Sequence, residues 1–140
     1  ETVTKRIQSR EKKLQPNQRL GRQLLIDLYD CPAVLLDNEE FISASMISAA
    51  LKAGAVVVNS NFHRFSPCGV SGVVAIRESH LAIHTWPEYG YAAIDLFTCG
   101  DNVDPWLAHA SLKEALSAGH DSVLEVSRPG PEEKSNEKIK

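Results

Sequence analysis

Apolar and polar residues alternate from Gln23 to Asp30, with Leu24, Ile26 and Leu28 on one face and Gln23, Leu25, Asp27 and Tyr29 on the other. That period of two predicts a first strand. Pro32 interrupts the run. Asp37 and Glu40 then form a capping-box pattern that predicts a helix to about Lys52, with Ile42, Met46 and Ala49 on one stripe and Gly54 as its stop. The β-branched run AVVVNSN from Ala55 predicts a strand, and VSGVVAI, SHLAIHTW and YAAIDLFT continue in the same style between glycine, Pro-Glu and Tyr-Gly breaks. These strands should pair as antiparallel neighbours. Asp104 and Pro105 supply an N-cap and a first-turn proline for a helix from Trp106 to Ala118, which Gly119 should end, and VLEV can add a last strand. The order predicts an α/β domain of the α+β type: a two-layer sandwich of a mainly antiparallel sheet with helices on one face. The opposite sheet face is left for a partner or a site.

Length and charge narrow this picture. A chain of 140 residues fits one domain, placed here at 21–128, large enough for a core yet small enough that a site could need a second subunit. Residues 1–20 are polar and carry Lys5, Arg6, Arg10, Lys12, Lys13 and Arg19, which reads as a flexible basic leader rather than a secretory signal. Residues 129–140, opening on Pro-Gly-Pro, read as a flexible tail. The leader lacks interleaved aromatics and the net charge is −3, so nucleic-acid binding is disfavoured. No apolar run reaches the roughly 18 to 20 residues of a membrane span. Cys31, Cys68 and Cys99 are odd in number and form no Cys-x-x-Cys pair. That argues against a disulfide framework and a four-thiolate zinc site, and makes a reducing cytoplasm the expected compartment.

Reactive side chains concentrate in the strands between Ser71 and Cys99, where Glu78, Ser79, His80, His84, Glu88 and Asp95 also lie. Buried strands seldom carry so many polar groups without a use. On a regular strand His80, Ala82 and His84 share one face while Ser79, Leu81 and Ile83 share the other. Ser79 and His84 could then meet only if Glu78–Ser79 sits at a bend entering the strand, where a strained peptide is open to attack. On residue types alone, the favoured reading is that His80 and His84 are hydrogen-bonded strand histidines and Cys99 a packed core residue. A zinc set of His80, His84 and Cys99 lacks an evident fourth ligand, so no metal is expected.

The segments FHRFSPCGVSGVV and RESHLAIHTWPEYGYAAIDLFTCG resemble the signature region of bacterial and archaeal S-adenosylmethionine decarboxylases, over about Gly21 to Val126. The resemblance implies a proenzyme that cleaves itself between Glu78 and Ser79, giving a β chain of residues 1–78 and an α chain of residues 79–140. In this chemistry the Ser79 hydroxyl attacks the preceding carbonyl to form an ester, and β-elimination and hydrolysis then leave a covalent pyruvoyl group in place of Ser79. The pyruvoyl ketone would form a Schiff base with the amino group of a small amino-acid substrate and accept the electrons released with carbon dioxide.

By the same resemblance His84 assists processing as a proton acceptor, with Ser71 beside it, and Cys99 returns a proton to the substrate carbon. Phe65 matches an aromatic that stacks on adenine across a dimer interface, and Glu88 matches an acidic residue near the nucleoside. The expected assembly is a homodimer or larger homo-oligomer. The expected reaction converts S-adenosylmethionine to its decarboxylated form for spermidine synthesis. One stretch departs from the pattern: where many members have a histidine followed four residues later by glutamate, GRQLLID places Gln23 and Asp27. Arginine or ornithine therefore stay open as substrates, with Asp27, Glu88 and Asp95 as carboxylates for their cationic ends. A non-catalytic subunit that regulates an active relative is the alternative of another class, and retention of Ser79, His84 and Cys99 weighs against it.

Overall fold

The alternating apolar positions found in the sequence become six strands in the computed structural model, which describes residues 18–130. Residues 1–17 of the expected leader and 131–140 of the expected tail lie outside the described residues. β1 (Gly21–Tyr29) starts before the predicted Gln23 and buries Leu24, Ile26 and Leu28 as its alternation requires. β2 (Val57–Arg64), β3 (Val70–Ile76), β4 (Ser79–Trp86) and β5 (Tyr91–Cys99) follow as an antiparallel series. β6 (His120–Arg128) contains the predicted VLEV run. The sheet order is β2-β3-β4-β5-β1-β6, so β1 is inserted between β5 and β6 and pairs antiparallel with both.

Three helices cover one face of this sheet. α1 (Ala33–Leu36) is a short turn that the pattern did not predict; the Pro32 carbonyl accepts from Leu35 N at 3.1 Å and Leu36 N at 3.2 Å. α2 (Glu39–Lys52) presents the predicted stripe of Ile42, Met46 and Ala49 to the core. Its N-cap is Asn38 rather than Asp37, with Asn38 Oδ1 accepting from Phe41 N at 3.0 Å. α3 (Pro105–Ala115) is capped by Asp104 as expected but ends earlier than Ala118. Ser117 takes the left-handed φ of 50° there, while Gly119 N instead donates to Tyr29 O at 2.8 Å. Leu81, Ile83, Ile94, Leu96, Leu112 and Leu116 complete the core between sheet and helices. No helix among the described residues is long and apolar enough to cross a membrane.

Asp37 fails as a cap because its carboxylate is committed elsewhere. Oδ2 accepts from Arg64 Nη2 at 2.8 Å and Oδ1 from Gly69 N at 2.9 Å, while Arg64 Nε donates to the Asp37 carbonyl at 3.2 Å. The α1–α2 junction thereby clamps both ends of the β2–β3 loop. Buried Thr85 adds a second tie, accepting from Val70 N and donating to Leu36 O, each at 2.8 Å. The Arg64 guanidinium, followed by the Gly69 amide, holds the Asp37 carboxyl below the usual carboxylate range.

Two predictions test this architecture. A Cβ on Gly72 would fall 1.9 Å from Phe62 Cδ1, so Gly72→Ala must eject that ring from its packing against the core. Urea unfolding should show a loss of about 1–3 kcal/mol. Asp37→Asn should lower the melting temperature near neutrality. Because folding depresses the Asp37 pKa, its contribution is present above the unfolded value of about 3.9 and fades as pH falls through the folded value. Melts across pH should therefore show the gap between wild type and Asp37→Asn closing below about pH 4.

Candidate active site

The turn between β3 and β4 holds the Glu78–Ser79 bond, which the family resemblance implies is the one cleaved. Ser79 has a φ of 144°, a region closed to most residues with a side chain, at a cost of about 1–3 kcal/mol. The expected bend at Glu78–Ser79 is therefore present. The Glu78 carbonyl oxygen accepts from Cys99 N at 2.9 Å, because the β4–β5 register sets Ser79 opposite Thr98. The Glu78 side chain is fixed as well, with Oε2 accepting from Val56 N at 3.4 Å. Ser79 Oγ lies 3.3 Å from His80 Nδ1, and the His80 ring meets the edge of Phe97 at 5.9 Å.

Cys99 ends β5 as a half-buried free thiol. Space beside it depends on Gly21, its register partner on β1: a Cβ there would fall 2.8 Å from Thr98 O and 3.2 Å from Cys99 Sγ. Thr98 itself is fully buried, and its hydroxyl oxygen has no hydrogen-bond partner among the described residues. An uncommitted donor opposite Ser79 suits a position where cleavage would create new oxygen acceptors. The residues present thus fit a pyruvoyl group formed at position 79.

A second cluster occupies the opposite end of the sheet. Ser71 and His84 are register partners, with Ser71 Oγ and His84 Nδ1 2.8 Å apart. Phe65 is exposed on the β2–β3 loop, its ring edge-on to His63 at 4.6 Å, and its backbone N donates to Gly69 O at 2.8 Å. In the same loop the Cys68 thiol donates to Glu88 Oε2 at 3.2 Å, which pushes the thiol pKa up. Glu88 sits on the single 3₁₀ turn Pro87–Tyr89. Ser71, His84, Phe65 and Glu88 therefore gather at one end, and Glu78, Ser79 and Cys99 at the other. His84 is five residues beyond Ser79 along β4, or about 16 Å at the usual strand rise. The bend does not bring those two together within a chain.

Side chains outside the expected set extend the Ser71–His84 end of the sheet. Trp86 stacks on Tyr91 at 5.3 Å, and Tyr91 on Tyr29 at 5.6 Å. The Tyr91 hydroxyl donates to Asp27, a bond that, with burial, pushes its pKa up to about 12. Alternation could have placed Trp86 on the face of His84, and Tyr91 on that of Cys99, from sequence alone. The place of the Cys99 amide beneath the Glu78 carbonyl depends on strand register, and the contact of His80 with Ser79 on the backbone conformation of Ser79, neither of which periodicity reveals. Among the described residues no group of three or more histidine, cysteine or acidic side chains is placed to hold a metal ion.

The family model for S-adenosylmethionine decarboxylase matches residues 22–129. The S-adenosylmethionine decarboxylase proenzyme of Thermosipho africanus is 61% identical over 106 residues, covering 76% of this chain and 82% of that protein. The proenzyme of Thermotoga maritima is 59% identical over 109 residues, covering 78% and 84% respectively. Among solved structures, the adenosylmethionine decarboxylase of Aquifex aeolicus superposes with a TM-score of 0.76 at 34% identity, over 85% of this chain and 98% of that one. With the fold and the extent of these matches in agreement, the chain belongs to the S-adenosylmethionine decarboxylase family.

Proposed function

We propose that the chain is a proenzyme that cuts itself between Glu78 and Ser79, converts Ser79 to a pyruvoyl group, and decarboxylates S-adenosylmethionine as a homodimer. The observation that carries this reading is the Cys99 amide hydrogen bond to the Glu78 carbonyl oxygen beside a strained Ser79. Attack on that carbonyl by Ser79 Oγ moves negative charge onto the oxygen, where the amide already points. Fixed donors of this kind are worth about 10²- to 10³-fold in rate. Release of backbone strain as the peptide bond becomes an ester favours the same step. Elimination then expels the Glu78 carboxylate, and water replaces the nitrogen of residue 79 as ammonia leaves.

The two clusters support a shared site. Their separation within one chain is closed if a second copy packs open face to open face about a two-fold axis running across the strands. His84 and Ser71 of each chain then meet Ser79 and Cys99 of the other, twice by symmetry. Exposed Leu25, Val73, Trp86 and Leu124 lie on strands β1, β3, β4 and β6, and their alternation with the core positions puts them on that open face. Such a packing would bury them.

The pyruvoyl group supplies a ketone that joins the substrate amino group and takes up the electron pair released with carbon dioxide. The protein's own groups do the rest. Phe65 stacks on the adenine, Glu88 accepts from the nucleoside, His84 takes a proton during processing, and Cys99 returns one to the substrate carbon. Asp27 is already bonded to Tyr91 and is poorly placed to receive a guanidinium, which favours S-adenosylmethionine over arginine. The decarboxylated product would serve spermidine synthesis in the cytoplasm.

Intact-mass spectrometry under denaturing conditions should show wild type as two fragments, one ending at Glu78 and one opening with the pyruvoyl group, and Ser79→Ala as one uncut chain. Co-expression of Ser79→Ala with His84→Ala tests the shared site. Each mixed dimer has one complete site, so the His84→Ala chain should be cut there and remain largely uncut when expressed alone. An uncut wild type would refute self-processing, and an uncut mixed dimer would refute sharing between chains.

A further inference from the structure

The base that starts self-cleavage must reach the Ser79 hydroxyl, and the residue placed to do so within the chain is not His84. We infer that His80 is a catalytic residue of the first step, taking the Ser79 hydroxyl proton through Nδ1 while Oγ attacks the Glu78 carbonyl carbon. The inference rests on the self-processing reading above and assigns a group that the reading leaves open.

Four observations converge. His80 Nδ1 is 3.3 Å from Ser79 Oγ and has no other hydrogen-bond partner among the described residues. The ring is held on its other side by Phe97, its register partner on β5, and faces Ala75, its register partner on β3. Neither neighbour offers a group that would compete for the nitrogen. The acceptor carbonyl is fixed by the Cys99 amide at 2.9 Å and by the Glu78 side chain bonded to Val56 N, so nucleophile, base and oxyanion donor meet at one peptide. His84, by contrast, pairs with Ser71 about 16 Å along the same strand.

The step balances internally. The Ser79 Oγ–H proton passes to His80 Nδ1 as the Oγ–C bond to Glu78 forms. The same proton is delivered to the Ser79 nitrogen as the C–N bond breaks, leaving an ester to Oγ and a free α-amine. No atom is gained or lost and no co-reactant is needed. His80 therefore governs ester formation, while a histidine brought by the partner chain can act only afterwards, on the α-proton whose removal expels the Glu78 carboxylate. Two histidines on one strand face serve two successive steps in two different sites of the dimer.

The test follows self-cleavage of freshly refolded full-length chain by mass spectrometry, with and without hydroxylamine, which cuts an ester but leaves a peptide bond intact. Wild type should yield the fragment ending at Glu78. His84→Ala should accumulate a hydroxylamine-sensitive chain. His80→Ala should stay uncut and hydroxylamine-resistant, or form ester about 10²-fold more slowly, with added imidazole restoring part of the rate. His80→Gln, which keeps the size and polarity of the side chain without its basicity, should behave likewise and decides the matter if His80→Ala fails to fold. Ester formation or cleavage at the wild-type rate in folded His80→Gln would overturn the role of His80 and leave self-processing standing. A wild-type chain that never cleaves would overturn both.

Discussion

One hydrogen bond between neighbouring strands organises the Glu78–Ser79 end of this molecule. The Cys99 amide holds the Glu78 carbonyl, and that contact exists because β4 and β5 pair with Ser79 opposite Thr98. A shift of one residue would turn every side chain of β4 to the other face, so the core positions Leu81 and Ile83 and the reactive positions His80 and His84 are fixed together. Burial of the leucines and isoleucines on one side thus sets reactive geometry on the other. The energy that holds the register is spread over the core, while the strain it sustains falls on Ser79.

The sheet has two unlike faces. Helices α2 and α3 close one face with aliphatic side chains, leaving the other with an aromatic and acidic strip of Tyr29, Asp27, Tyr91 and Trp86. Hydrophobic coverage cannot come from the described helices on that side. Leu25, Val73 and Leu124 stay exposed on that surface, and the open-face dimer proposed above would cover them.

Much of this was legible from the residues. Alternation in QLLIDLYD and SHLAIHTW gave strand faces correctly, and Asp104-Pro105 marked a helix start, because these depend on neighbours in sequence. Misreadings came where a distant partner outweighed a local preference. Asp37 looked like a cap until Arg64 and Gly69 claimed its carboxylate, and Gly119 looked like a helix stop although Ser117 takes the left-handed turn. The pairing of Ser71 with His84 followed a resemblance rather than spacing. The Cys99 amide beneath the Glu78 carbonyl needed the register itself, and the contact of His80 with its sequence neighbour Ser79 needed the unusual φ of 144° at Ser79.

The insertion of β1 between β5 and β6 has a consequence for what a cut chain can do. Residues before position 79 supply β1, β2 and β3, and those after it supply β4, β5 and β6. β1 is flanked on both edges by strands from the other piece, and β3 lies against β4. The two pieces are woven rather than stacked: three rows of main-chain hydrogen bonds cross between them, and separating them means unravelling the sheet. The proposed scission at Glu78–Ser79 would therefore free two chain ends without freeing a fragment.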